Sequence, residues 1–202
     1  MNKLLTLFAA LIVCASASAQ FTIIGGLTTT ADKSAGQFSI KNVSQFHIGV
    51  GTSTRFGLFA ILPALEYNQK GVSYNEMQDS RIDVRQRTGY LELPIQLQLG
   101  LPVIPRVLSI MAVGEPYISY AVHREEQIDY SPWEKMTDWS GISRFRYGVG
   151  LGGGVELFSH LQLTVRYFWD FAGSEFDSLV KIPSQIIDNK ASGIKFSAAI
   201  VF

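Results

Sequence analysis

The chain has 202 residues, of which 47% are apolar and 17% charged, with seventeen basic and seventeen acidic side chains. That length supports one domain with a real core. The composition is apolar for a soluble domain and too polar for a helical membrane bundle, and the balanced charge excludes an electrostatic nucleic-acid binder.

Residues 1–19 read as a cleaved signal peptide. Lys3 supplies the positive start, Leu4 to Val13 is an apolar run broken only by Thr6, and Ala17-Ser18-Ala19 carries small residues where a signal peptidase cuts. A spanning helix needs about 20 apolar residues, and Ser16 and Ser18 end the run early. The mature domain is then 20–202, beginning at Gln20. Its only cysteine would have been Cys14, lost with the leader, so thiol catalysis and Cys-based metal sites are excluded.

Beyond the leader the apolar signal alternates, as in strands with one greasy and one polar face. Eight segments follow in chain order: 21–29, 44–54, 57–72, 86–101, 107–123, 143–158, 161–173 and 191–202. The first does not alternate cleanly between Phe21 and Gly26. In the second, Phe46, Ile48 and Val50 alternate with His47, Gly49 and Gly51. The third and fifth carry Pro63 and Pro116 on the apolar face, which predicts bulges or frayed pairing. In the fourth, Leu91 to Leu101 alternate with Glu92, Pro94, Gln96, Gln98 and Gly100. The sixth alternates apolar residues with Arg144, Arg146 and glycines from Gly148 to Gly154. The seventh sets Leu161, Leu163, Val165, Tyr167, Trp169 and Phe171 against Gln162, Thr164, Arg166, Phe168 and Asp170. The last sets Ile194, Phe196, Ala198, Ile200 and Phe202 against Lys195 and small residues. Connections alternate too. Short turns fall near Arg55, at Pro102 to Pro105 and at Ser159-His160, and long polar ones at 30–43, 73–85, 124–142 and 174–190. Short turns at one end and long loops at the other are the habit of outer-membrane barrels.

A soluble barrel would point its apolar face inward. Three features favour a membrane barrel. The greasy faces are full over about 9–11 residues, the length of a tilted crossing. Aromatics gather at segment ends, at Phe46, Phe56, Tyr67, Tyr120, Phe145, Trp169 and Phe171. The opposite faces carry charges and glycines suited to a crowded narrow lumen. The predicted fold is all-β, an eight-stranded antiparallel up-and-down transmembrane β-barrel.

Several stretches resemble a known family, the PorT-type outer-membrane β-barrel ("porin family") proteins of Bacteroidota. They are Pro63 to Gly71 (PALEYNQKG), Tyr90 to Ile95 (YLELPI), Gly148 to Leu157 (GVGLGGGVEL) and Leu163 to Tyr167, within a likeness covering most of 44–202. Gly25 and Gly26 keep the glycines of that family's first-strand signature, while its Asn is absent. The resemblance implies residence in a Gram-negative outer membrane and an association with protein export. It also makes the final Phe202 similar to the terminal aromatic read by the barrel-assembly machinery.

Chemistry is sparse. His47, His123 and His160 show no metal-site spacing. Ser159-His160 and Ser44 with His47 would point to opposite faces of a strand, so neither pair makes a deacylase. No catalytic residue, metal or cofactor is called for. The glycines from 148 to 154 alternate within a strand, unlike a dinucleotide loop. The informative set is the polar face: Glu66, Glu92, Glu115, Glu156, Asp170, with Arg55, Lys70, Arg144, Arg146, Arg166 and Lys195. Inside a narrow barrel unpaired charges are costly, so balanced signs imply pairing. Glu66, Glu92, Glu115, Glu156, Arg166, Asp170 and Lys195 form the expected interior network, with Arg166 paired to Glu156.

The leading expectation is a small non-enzymatic barrel with a closed polar core and long outer loops that bind a partner or protect the envelope. Tyr130, Trp133 and Trp139 in an acidic loop are candidate contacts. The alternatives are an accessory of secretion or transport across the outer membrane and a lipid-modifying enzyme. Expected partners are outer-membrane lipid, the assembly machinery through the last strand, and an extracellular or secretion-system protein.

Overall fold

The computed structural model describes residues 20–31, 39–41, 43–76, 82–128, 134–135, 144–171 and 192–202. The leader 1–19 and the loop residues Tyr130, Trp133 and Trp139 lie outside the described residues. The strands are β1 (Gln20–Ala31), β2 (Ser39–Lys41), β3 (Val43–Phe56), β4 (Phe59–Glu76), β5 (Ile82–Ile104), β6 (Leu108–Ile128), β7 (Glu134–Lys135), β8 (Phe145–Leu157), β9 (Leu161–Asp170) and β10 (Ser192–Val201). Eight of them close an antiparallel ring in the order β1, β3, β4, β5, β6, β8, β9, β10 and back to β1, while β2 pairs with β4 and β7 with β6.

The ring is staggered. Following the register once around, Gln20 leads through Ser53, Leu62, Gln96, Glu115, Gly150, Phe168 and Gly193 to Thr30, ten residues further along β1. Eight strands with such a stagger tilt by roughly 35–45° and enclose a space just wide enough for side chains.

The prolines interrupt one ladder each without shifting it. The β3–β4 pairing steps from Gly51↔Ala64 to Thr54↔Ile61 past Pro63, whereas Pro63 stays paired with Ile95 of β5. Likewise β5–β6 steps from Pro94↔Tyr117 to Leu97↔Gly114 past Pro116, which pairs with Val149 of β8. A proline lacks only its own N–H, so it weakens the side that N–H would have faced. The frayed pairing expected there is present, but the register shifts fall elsewhere, at Gly89/Tyr90 and Pro102/Ile104. At the first, Gly89 faces His123 and Tyr90 faces Ala121, leaving Val122 as the extra residue of a bulge. His123 then lies against Tyr67, rings 5.8 Å apart and nearly parallel.

Alternation along each strand puts apolar side chains outside and polar ones inside. Leu91, Leu93, Ile95, Leu97 and Leu99 are exposed, while Glu92, Gln96 and Gln98 between them are buried. Strand β1 blurred this pattern because Ile24 points inward, against Leu62, Ala64 and Ala199. Aromatics ring both ends. Phe21, Phe56, Phe59, Phe158 and Phe202 are exposed near the short turns and chain ends; Phe46, Tyr120, Phe145, Tyr147 and Phe171 are exposed near the other end. Phe202 closes the seam, its N–H donating to Phe21 O at 2.9 Å and its ring 6.1 Å from that of Phe21. The wall is uneven: the β4–β5 ladder continues to Glu76↔Ile82, whereas β9 ends at Asp170.

Gly148 shows why side chains are absent from parts of the inner wall. A Cβ there would meet the Tyr117 ring, with Cζ at 2.5 Å. Gly148→Val is therefore expected to cost about 1–3 kcal/mol by overpacking. The same change at Gly114, where the nearest atom to an added Cβ is the Leu151 methyl at 3.8 Å, should cost far less. Urea-unfolding midpoints of the two refolded variants make the comparison.

Candidate functional site

The lumen holds the chemistry, in two layers. The lower layer is built from inward residues near the short turns. It combines the apolar cluster of Ile24, Leu62, Ala64 and Ala199 with buried Met111, Val113 and Val201. Amides sit beside it: Gln98 Nε2 donates to Gln96 and Gln162, each at 3.1 Å, and Gln162 donates to Glu156 at 2.9 Å. Arg55, two residues before the Gly57 turn, pairs with Glu156 from the rim.

The upper layer is ionic. Lys195 of β10 reaches across to three strands: its Nζ lies 2.6 Å from Glu66 Oε2, 2.9 Å from Glu92 Oε1 and 3.4 Å from Glu115 Oε1. Arg166 of β9 pairs with Glu115 and also donates to Ser197. Lys70 bridges Asp170 at 3.0 Å and Glu92 at 3.5 Å. Asp170 further accepts from Arg146 at 3.3 Å and from the Tyr117 hydroxyl. Lys70 is boxed by rings, 4.9 Å from the centroid of Phe168, 5.0 Å from Tyr117 and 5.4 Å from Tyr90. Ring faces attract an ammonium most where water is excluded. Four cations thus meet four carboxylates, all buried.

Neutral groups bind this layer together. Thr28 donates to Asn68 Oδ1 at 2.9 Å, and Asn68 donates to Glu92 at 3.3 Å. His47 stands between Thr28, 3.1 Å from Nδ1, and Ser197, 2.8 Å from Nε2. A Ser–His pair therefore exists, between partners that neither sequence neighbourhood joined. It faces the closed lumen rather than the lipid side, and the ring's other nitrogen meets a hydroxyl, not the carboxylate of a triad. Among the described residues no cluster of three or more His, Cys, Asp or Glu is arranged to hold a metal ion.

All seven residues picked for the network line the lumen and are buried. Their pairing differs from the expectation in one respect. Arg166 does not meet Glu156. In the β8–β9 register Arg166 faces Gly152 and Glu156 faces Gln162, which separates the two by four residues, about 13 Å. Instead Arg166 reaches across β8 to Glu115 of β6, which pairs with Gly150. Arg144 is a second correction. It is exposed, with its guanidinium 4.7 Å from the Tyr120 ring centroid and bonded to Ala121 O at the rim, because it precedes β8 and escapes its alternation. His160 lies exposed in its turn, Nδ1 2.6 Å from Phe158 O. Sequence reasoning missed Thr28, Asn68, Ser197 and Tyr117; their inward parity was readable, but not which partner lay across the lumen.

Comparison with known proteins agrees with this architecture. No curated protein matches the chain. Among solved structures it is similar to the attachment invasion locus protein Ail of Yersinia pestis, crystallised with the heparin analogue sucrose octasulfate. Identity is 12% and the TM-score 0.44, covering 91% of this chain and 98% of that one. It is also similar to Neisserial surface protein A (11%, TM-score 0.45, 91% and 97%) and to outer membrane protein H, OprH, of P. aeruginosa (14%, TM-score 0.43, 89% and 99%). At these scores the likenesses say nothing about function. The family described as "Outer membrane protein beta-barrel domain" matches residues 16–173, most of the chain. The chain belongs to that family, as a closed eight-stranded barrel that crosses the outer membrane many times.

Proposed function

We propose that this barrel is a non-enzymatic envelope protein with a sealed interior, acting through its ends rather than through a pore. The observation that carries the reading is the stacking of a charge-balanced ionic layer on a filled layer of apolar side chains and mutually bonded glutamines. Charges alone could line an ion path. A lower layer filled by Ile24, Leu62, Ala64 and Ala199 and by glutamines bonded to one another leaves permeating ions no free groups to replace their water. The long connections would then bind a partner or shield the surface, and the last strand with Phe202 would be read by the assembly machinery. The finer resemblance to PorT-type barrels supports a second reading, an accessory of protein export, through the stretches 63–71, 90–95, 148–157 and 163–167. Crosslinking in native membranes followed by pull-down separates the two, because only the second calls for a secretion-system partner.

Three outcomes are expected. In planar bilayers the purified barrel should show no steady conductance, and a large stable current would overturn the sealed reading. In detergent with urea, Arg166→Ala and Glu115→Ala should each cost roughly 3–5 kcal/mol, because each strands a buried charge. The double variant should lose clearly less than their sum, whereas Arg166→Ala with Glu156→Ala should be additive. Deleting Phe202 should lower the fraction inserted in the outer membrane without stopping export to the periplasm. Heat-dependent migration in SDS gels reads the inserted fraction.

A further inference from the structure

At the short-turn end Gly100 N donates to Leu58 O at 2.8 Å and Phe158 N to Val107 O at 2.9 Å, so the two neighbouring turns end beside Gly100 and Val107. Beyond Gly100 the β5–β6 ladder runs on to Ile104↔Leu108, and Val107, which accepts from Phe158, lies in the turn itself, its N–H donating to Ile104 O at 3.0 Å.

The tip is apolar and exposed: Val103 54%, Ile104 50% and Val107 41%. It continues the lipid-facing row of β5 without a polar break, through Leu97, Leu99 and Leu101. Its single charge is Arg106, held at the turn with φ 63°, where the neighbouring turn uses Gly57. A non-glycine residue in that region is uncommon. Among the described residues no ion pair holds Arg106, while Arg55, the other arginine at this end, is matched by Glu156. An apolar finger continuous with the membrane face and tipped by one cation fits a lipid boundary better than water or a protein cleft.

We propose that the 101–107 hairpin is a lipid anchor. Val103, Ile104 and Val107 seat at the acyl boundary of the periplasmic-side leaflet, and Arg106 takes the phosphate of an anionic phospholipid. The test is a nitroxide at Ile104 (Ile104→Cys, with Cys14 replaced), and a second at Val103, on the folded barrel. Two vesicle types are compared: phosphatidylcholine, and an equal mixture of phosphatidylcholine and phosphatidylglycerol. Heat-dependent gel migration checks that every variant is folded. The label should meet dissolved oxygen several-fold more often than a water-soluble nickel chelate in both vesicles. That ratio should rise with phosphatidylglycerol, and Arg106→Gln should abolish the rise while leaving the phosphatidylcholine value. A label as open to nickel as a water-exposed side chain would overturn the anchor in favour of a protein partner. A ratio indifferent to phosphatidylglycerol, or a rise that survives Arg106→Gln, would overturn the role of Arg106.

Discussion

Everything inside this barrel follows from one geometric constraint. Eight strands with a stagger of ten leave a lumen only as wide as the side chains that fill it. Each inward residue must therefore be completed by other inward residues. A charge there has no water to fall back on and must find its counter-charge across the lumen. Lys195 illustrates the consequence. One ammonium on β10 serves carboxylates on β4, β5 and β6, tying strands that share no backbone ladder with it. The backbone closes the ring, and the ionic layer braces its cross-section.

Glycine is the complement of this bracing. Long side chains can cross a crowded lumen only where the strand between them is bare. On β8 the glycine in register with Arg166 is Gly152, where an added Cβ would lie 2.7 Å from Arg166 Cα. Gly49 does the same for Glu66, whose Cγ would lie 2.6 Å from an added Cβ. Along β8 the glycines make room for inward neighbours in turn, Gly148 for Tyr117, Gly152 for Arg166 and Gly154 for Thr164.

This explains what could be read from the sequence. The eight barrel strands, their order and the sidedness of each face follow from period-two alternation, which needs no knowledge of tertiary contacts, whereas β2, β7 and the outer ends of β4, β5 and β6 fall in the stretches 30–43, 73–85 and 124–142 read as loops. Glu66, Glu92, Glu115, Arg166 and Lys195 could be placed inside on that ground. The pairing could not, because it depends on stagger, and stagger is a property of the whole ring. Adjacent strands suggested Arg166 with Glu156, whereas the register sets them about 13 Å apart and offers Glu115 across β8. Parity also failed wherever a bulge or strand end resets it: at Val122, which turns His123 toward Tyr67, and before β8, where Arg144 leaves the lumen. The inward Ile24 failed for another reason, since it joins an apolar cluster inside the lower lumen and so gives its strand no contrast between faces.

The same constraint decides where variation is free. A side chain in the lumen answers to several strands at once, so changing it disturbs partners on β4, β5, β6 and β9 together. The outer wall answers only to lipid and tolerates any apolar residue of suitable size. What remains are the two rims, and they differ in kind. At one, β4, β5 and β6 rise past their neighbours and carry β2 and β7 on their flanks, which gives a backbone platform above the aromatic ring. At the other, short turns hold the chain close to the membrane, the β5–β6 hairpin bonded on one side to Leu58 and on the other to Phe158. A barrel with a filled interior can face the world only through such edges. The unequal strand lengths that make them unequal are therefore the part of this fold through which function enters.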